Sequence, residues 1–144
     1  MDKLTLSVSI FAAIWTAINA WALIRYSRIN VVNGLQQLML NKANFCNSLW
    51  EDARKSAMHP QISIKTVCIP VVSEIIISIQ LIDNSVKEYS EQKRRRFLIH
   101  QFWIQLNTSL REFIKSAKAE EFEGGLKDQI IHVRGNFESF FQDY

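Results

Sequence analysis

The sequence predicts an all-α protein in which an N-terminal transmembrane helix leads into a cytoplasmic bundle of about four helices. Three observations predict it. No charged residue occurs from Leu4 to Ile24. Apolar residues recur at spacings of three and four through most of the remainder. The composition, 48 % hydrophobic and 22 % charged, suits one anchor and one small domain rather than a disordered chain or a polytopic transporter. The expected division is an anchor over residues 1–27 and a helical domain over 28–144.

The first element is the anchor. About twenty apolar residues at 1.5 Å rise match a hydrocarbon core of about 30 Å, and the polar residues in the run, among them Ser7, Ser9, Thr16 and Asn19, are uncharged. Ala20-Trp21-Ala22 has the small-x-small form of a signal-peptidase site. The run is nevertheless longer than a typical signal core, and Arg25 and Arg28 directly behind it resist export, so a retained helix is expected. Positive charge fixes its direction. Lys3 faces Asp2 on one side while Arg25, Arg28 and Lys42 lie on the other, which places the N-terminus outside and the domain in the cytoplasm at a cell inner membrane. Trp21 and Tyr26 suit the interface. Ser9, Ala13 and Ala17 repeat every fourth residue beside Thr16 and Ala20. Such a stripe lets helices approach, and Asn19 adds an interhelical hydrogen bond of roughly 0.6 to 2 kcal/mol, so a homo-oligomer is expected.

Behind the anchor, Val31, Leu35, Leu38, Met39, Phe45, Leu49, Trp50 and Ala53 mark an amphipathic helix from near Ile29 to Ala57, continuous with the anchor or bent at Asn33-Gly34. His59-Pro60 ends it. From Ile62 to Ile69 the β-branched density suits irregular or strand-like backbone. Pro70 fits a first helical turn, and Val72, Ile75, Ile76, Ile79 and Ile82 continue at helical period. A second membrane crossing here would place Lys65 and Glu74 in lipid at roughly 2 to 3.5 kcal/mol each.

Asp83-Asn84-Ser85 offers capping side chains, with Ser85 and Glu88 in a Ser-x-x-Glu frame. The helix expected from there reaches about Ala119, burying Tyr89, Phe97, Ile99, Phe102, Trp103, Leu106, Leu110, Phe113, Ile114 and Ala117. Gly124-Gly125 ends it. Leu126, Ile130, Val133, Phe137, Phe140 and Tyr144 then form a heptad seam. Gly135 inside that seam points to close packing or to an easily deformed end helix.

No catalytic frame is present: His59, His100 and His132 stand apart, and no HExxH, GxSxG or glycine-rich phosphate loop occurs. The sequence therefore predicts neither an enzyme nor a cofactor. Cys46 and Cys68 lack metal or redox spacing and read as small buried residues. The net charge of +3 is unevenly distributed. Lys93, Arg94, Arg95 and Arg96 are consecutive, whereas Glu120, Glu121, Glu123, Asp128, Glu138 and Asp143 make the end acidic. A basic run suits a solvated face or anionic lipid headgroups. A sharper reading places Arg96, His100, Asn107 and Arg111 along one side of a helix, where with Lys93 they hold phosphates while His100, Gln101 and Asn107 meet polar base edges.

The layout carried by Leu4 to Ile24, Arg25, Arg28 and the Lys93 to Arg96 cluster resembles the small single-pass membrane effectors of bacterial antiphage defence. Within them the likeness is to the type III CRISPR effector that responds to cyclic oligoadenylate. That resemblance implies an oligomeric assembly, a cyclic nucleotide held by basic and polar residues, and membrane disruption as output. The alternative is a membrane-tethered adaptor that pairs with a partner protein through its C-terminal heptad helix.

Overall fold

A computed structural model describes residues 3–87 and 92–142, with side chains over 12–86 and 92–142. Every regular element among them is helical: α1 Lys3–Ala57, α2 Ile64–Val67, α3 Ile69–Lys87, α4 Gln92–Gln105, α5 Thr108–Ser116 and α6 Gly124–Phe137, with 3-10 turns at Ala119–Glu121 and Glu138–Phe140. The chain divides into two compact units, Met1–Leu35 and Gln36–Tyr144.

In the first unit α1 passes Asn33-Gly34 without a break. From Ala12 to Asn30 every side chain is exposed, including Ile14, Trp15, Ile18, Trp21, Leu23 and Ile24. Thr16 turns its hydroxyl back on the helix and donates to the Ala12 carbonyl at 2.8 Å, removing a polar group from the apolar surface. The Arg25 guanidinium lies 5.2 Å from the centre of the Trp21 ring, a cation over an aromatic face where the apolar run ends.

In the second unit α1 continues with a buried heptad of Met39, Ala43, Cys46, Trp50 and Ala53. That stripe is turned from the expected one: Leu38 and Phe45 are exposed because the small residues Ala43 and Cys46 face inward. The helix stops at Ala57, before His59-Pro60, as the proline dictates. The strand-like reading of Ile62 to Ile69 is overturned, since Ile64–Val67 forms a helical turn whose first donors are met by Ser63, its hydroxyl accepting from Lys65 N at 3.3 Å.

Helix α3 is the centre of the domain and packs on both α4 and α6. Val71, Val72, Ile75, Ile79 and Ile82 are fully buried along it, each worth roughly 1.5 to 3 kcal/mol of apolar transfer. Ile64–Val86 is the one stretch among the described residues that is long and apolar enough to cross a membrane, with 39 % of its window buried inside the fold. Asp83, Asn84 and Ser85 do not start a helix. They lie in the last turns of α3, where Ser85 donates to the Leu81 carbonyl at 2.7 Å. Glu88 and Tyr89 fall outside the described residues.

The single long helix expected from Ser85 to Ala119 is two helices, α4 and α5, broken at Leu106-Asn107. Asn107 takes an extended backbone and its Oδ1 accepts from Leu110 N at 2.9 Å, so it caps α5 instead of lying inside a helix. Phe97 is exposed, the inward positions of that turn being taken by Leu98 and Ile99. Gly124 starts α6 at φ +57°, a conformation that side chains with a Cβ disfavour. From α6 and its 3-10 extension, Ile130, Val133, Phe137 and Phe140 are buried as the heptad expects, with Phe137 4.8 Å from Trp103 and 6.1 Å from Phe102 between ring centres. Tyr144 lies outside the described residues.

Candidate functional site

The basic cluster opens onto a cleft between α4 and α6. Positions 92, 93, 96, 99 and 100 share one face of α4, so Gln92, Lys93 and Arg96 form one wall with Ile99 at its base. The other wall is Gly135 and Asn136 of α6, then Ser139 and Phe140 of the 3-10 turn. The cleft encloses about 710 Å³. A second cavity of about 330 Å³ adjoins it, walled by Phe97 and His100 and sharing Lys93, Arg96 and Phe140 with the first.

Arg95 reaches the cleft but serves the scaffold. Its Nε donates to Asp83 Oδ1 at 2.6 Å and its Nη2 to Asn136 Oδ1 at 2.6 Å, while Asn136 Nδ2 donates to the His132 carbonyl at 2.9 Å. One guanidinium therefore ties α3, α4 and α6 together and orients Asn136. Arg96 lies 5.9 Å over the Phe140 ring, and the His100 ring is 5.0 Å from the same ring. No carboxylate lines either cavity among the described residues, and with Arg95 paired to Asp83 it is Lys93 and Arg96 that give the lining its positive charge.

The expected stripe is not assembled as a whole. Lys93, Arg95, Arg96 and His100 meet at the cleft. Arg94 is half-buried and lines neither cavity. Asn107 and Arg111 lie beyond the α4–α5 break and also line neither cavity.

Asn107 instead belongs to a clasp with α1. Asn47 donates through Nδ2 to the Gln105 carbonyl at 2.9 Å and accepts from Asn107 N at 2.8 Å. Asn107 Nδ2 donates to Glu51 at 3.1 Å, and Trp50 Nε1 donates to Ser109 Oγ at 2.8 Å, which in turn donates to Asn107 Oδ1 at 3.1 Å. These bonds satisfy the backbone groups exposed by the break. Farther along, Arg134 donates to the Ala117 carbonyl and closes the end of α5.

Gln92 and Ile99 of α4, and Gly135, Asn136, Ser139 and Phe140 across from them, are the cleft residues that sequence reasoning did not place there. Gly135 carried the signal, as a helix-interior glycine with no packing partner: a Cβ built on it meets nothing within 4 Å. The expectation of close packing there is thus overturned, and what borders Gly135 is the open cleft.

Both cysteines are buried thiols. Burial, with the Glu74 carboxylate adding to it, pushes Cys46 up from 9.0 to about 12, and burial pushes Cys68 up to about 11. Among the described residues no three His, Cys, Asp or Glu side chains converge as a metal site. No protein-family model matches the chain, and no curated protein or solved structure matches it either.

Proposed function

We propose that the protein is a single-pass membrane effector whose helical domain receives a nucleotide second messenger of the cyclic-oligoadenylate class in the α4–α6 cleft. Oligomerised anchor helices then perturb the bilayer in response. The observation that carries the reading is the cleft itself, where Lys93 and Arg96 face open space beside polar Gln92, Asn136 and Ser139 and the Phe140 ring, with no carboxylate in its lining among the described residues. Phosphates favour paired cations, and bases favour an aromatic surface with polar edges. The argument for an anchor is the run of exposed apolar side chains Ile14, Trp15, Ile18, Trp21, Leu23 and Ile24, whereas the stretch among the described residues that meets the length and hydropathy of a membrane span is Ile64–Val86, in the middle of the chain. An outside N-terminus and a cytoplasmic domain at the inner membrane follow from Arg25 and Arg28. A stripe of anionic lipid headgroups is the competing occupant of the cleft. The adaptor reading has less to stand on, because Ile130, Val133, Phe137 and Phe140 of the C-terminal seam are already buried in the domain.

The test uses the full chain in detergent micelles with fluorescently labelled cyclic and linear oligoadenylates. Saturable binding is expected, weakened by salt and reduced at least tenfold by Lys93→Ala with Arg96→Ala. Absence of binding at low salt overturns the reading. With the chain in liposomes, ligand-dependent dye release is expected, and release that ignores the ligand separates membrane output from nucleotide control.

A further inference from the structure

Between Ile64 and Val86 the chain carries three charged residues, Lys65, Glu74 and Asp83, and the fold turns each of them to a partner within the protein. Lys65 lies 3.3 Å from Glu121, Glu74 2.6 Å from Lys42 and Asp83 2.6 Å from Arg95. What remains on the outer side of α3 is uncharged. Ile69, Ser73, Ile76, Ile77 and Gln80 follow one another at helical spacing, Ile69 and Ile77 are each 44 % exposed, and Gln80 is exposed.

A helix that is apolar all round is buried in a protein core or in lipid, whereas one that borders water carries charged residues on its outer side. Helix α3 fits neither arrangement in water. The domain buries less than half of its apolar stretch, and between Ile69 and Gln80 the one charged side chain, Glu74, is 13 % exposed and held by Lys42. Lipid resolves the mismatch, and the ion pairs decide how. Crossing the bilayer would strip Glu74 of Lys42 and Asp83 of Arg95 and carry a carboxylate into hydrocarbon. Lying along the surface keeps both pairs and covers the outer side.

Resting on the membrane reading above and not on its nucleotide ligand, we infer that α3 is a second lipid-contacting element. It lies along the bilayer surface with Ile69, Ile76 and Ile77 in the acyl boundary, as interfacial helices bury their apolar face by about 5 to 10 Å. Glu74 and Asp83 stay on the domain side with their partners.

The experiment uses the full chain in phosphatidylcholine–phosphatidylglycerol vesicles, with an environment-sensitive dye on one introduced cysteine. The sites are Gln80→Cys, on the outer side of α3, and Glu112→Cys on α5, where the side chain is 64 % exposed. Cys46 and Cys68 are buried and leave the dye to the introduced site. A nitroxide on the lipid acyl chain is expected to quench the Gln80→Cys dye about twofold or more and the Glu112→Cys dye little. Ile69→Asp with Ile77→Asp, both at part-exposed positions, is expected to melt as the parent does and to abolish the quenching at Gln80→Cys. If the chain floats with the vesicles and both dyes are quenched equally, or the double variant leaves the quenching unchanged, this inference is overturned and the anchor reading stands. A Gln80→Cys dye that is shielded in detergent in proportion to protein concentration puts a second copy on this face and overturns it as well. A chain that does not float with the vesicles overturns both.

Discussion

Two polar regions of the helical domain are built from similar residues and do opposite things with them. Along α1, from Lys42 to Arg54, polar side chains meet partners on other helices: Lys42 holds Glu74 at 2.6 Å, and Asn47, Trp50 and Glu51 engage the α4–α5 junction. In the α4–α6 cleft, Lys93 and Arg96 instead line open volume. Half-buried polar groups that answer one another hold helices in register. Exposed polar groups such as Lys93 and Arg96 leave the fold unchanged and are open to solvent. The distinction lies in where the partners are and not in residue type or helical spacing, which is why Asn107 and His100, both plausible ligand groups by sequence, part company in three dimensions.

The largest contrast is expected at Cys46, the thiol on the buried face of α1. With Cys46 raised from 9.0 to about 12, its thiolate fraction below pH 9 is roughly a thousandfold lower folded than unfolded. Iodoacetamide at pH 8 is expected to label the native chain very slowly and the urea-unfolded chain fast. Because the unfolded chain loses this proton first, the associated stability is complete below about pH 9 and declines as pH rises from there toward 12. A urea midpoint that holds constant from pH 8 to pH 10.5 in the parent would break the picture of a sealed α1 face.

Next in size is Asn107→Ala. It removes the cap of α5 and the amide that Asn107 donates to Glu51, while Asn47 keeps its bonds to the main chain at 105 and 107. Caps are worth about 0.5 to 2 kcal/mol, and Glu51, half exposed and still beside Arg54, adds little. A loss of about 2 kcal/mol by urea denaturation is expected, with ligand affinity of the folded fraction unchanged. Lys93→Ala and Arg96→Ala should show the reverse: stability within about 0.5 kcal/mol of the parent, as for exposed surface positions, and a weaker, less salt-dependent affinity for phosphate-bearing ligands. If Asn107→Ala abolished binding without affecting stability, the two regions would have exchanged roles.

Much of the fold was legible because apolar period dominates it. The end of α1 at Ala57, the helix through Val72 to Ile82, and the buried Ile130, Val133 and Phe137 all follow from spacing and a proline. What escaped was set by tertiary partners. Asp83 to Ser85 read as a cap, yet α3 continues through them because Asp83 has Arg95 to pair with and Ser85 turns back on its own helix. The break at Asn107 looked like helix interior because Leu106 and Leu110 keep the period across it; the Asn-Thr-Ser run was the local sign, and Asn47 made the break tolerable. Half of the candidate site was legible as a basic run. The other wall lay some forty residues downstream, where only the position of Gly135 hinted at it.

The smallest expected effect is also the most discriminating, because it separates fold from site at one atom. If Gly135 serves packing, adding a methyl harms stability. If it serves the cleft, the methyl enters open space, the chain gains helix propensity, and only the cavity loses. The absence of any atom within 4 Å of that Cβ favours the second outcome. Gly135→Ala is therefore expected to stabilise the chain by about 0.5 to 1 kcal/mol, measured by urea denaturation. A destabilised Gly135→Ala protein would mean that α6 draws on the glycine for its own geometry, and the contrast between sealed α1 face and open cleft would then fail at its most exposed point.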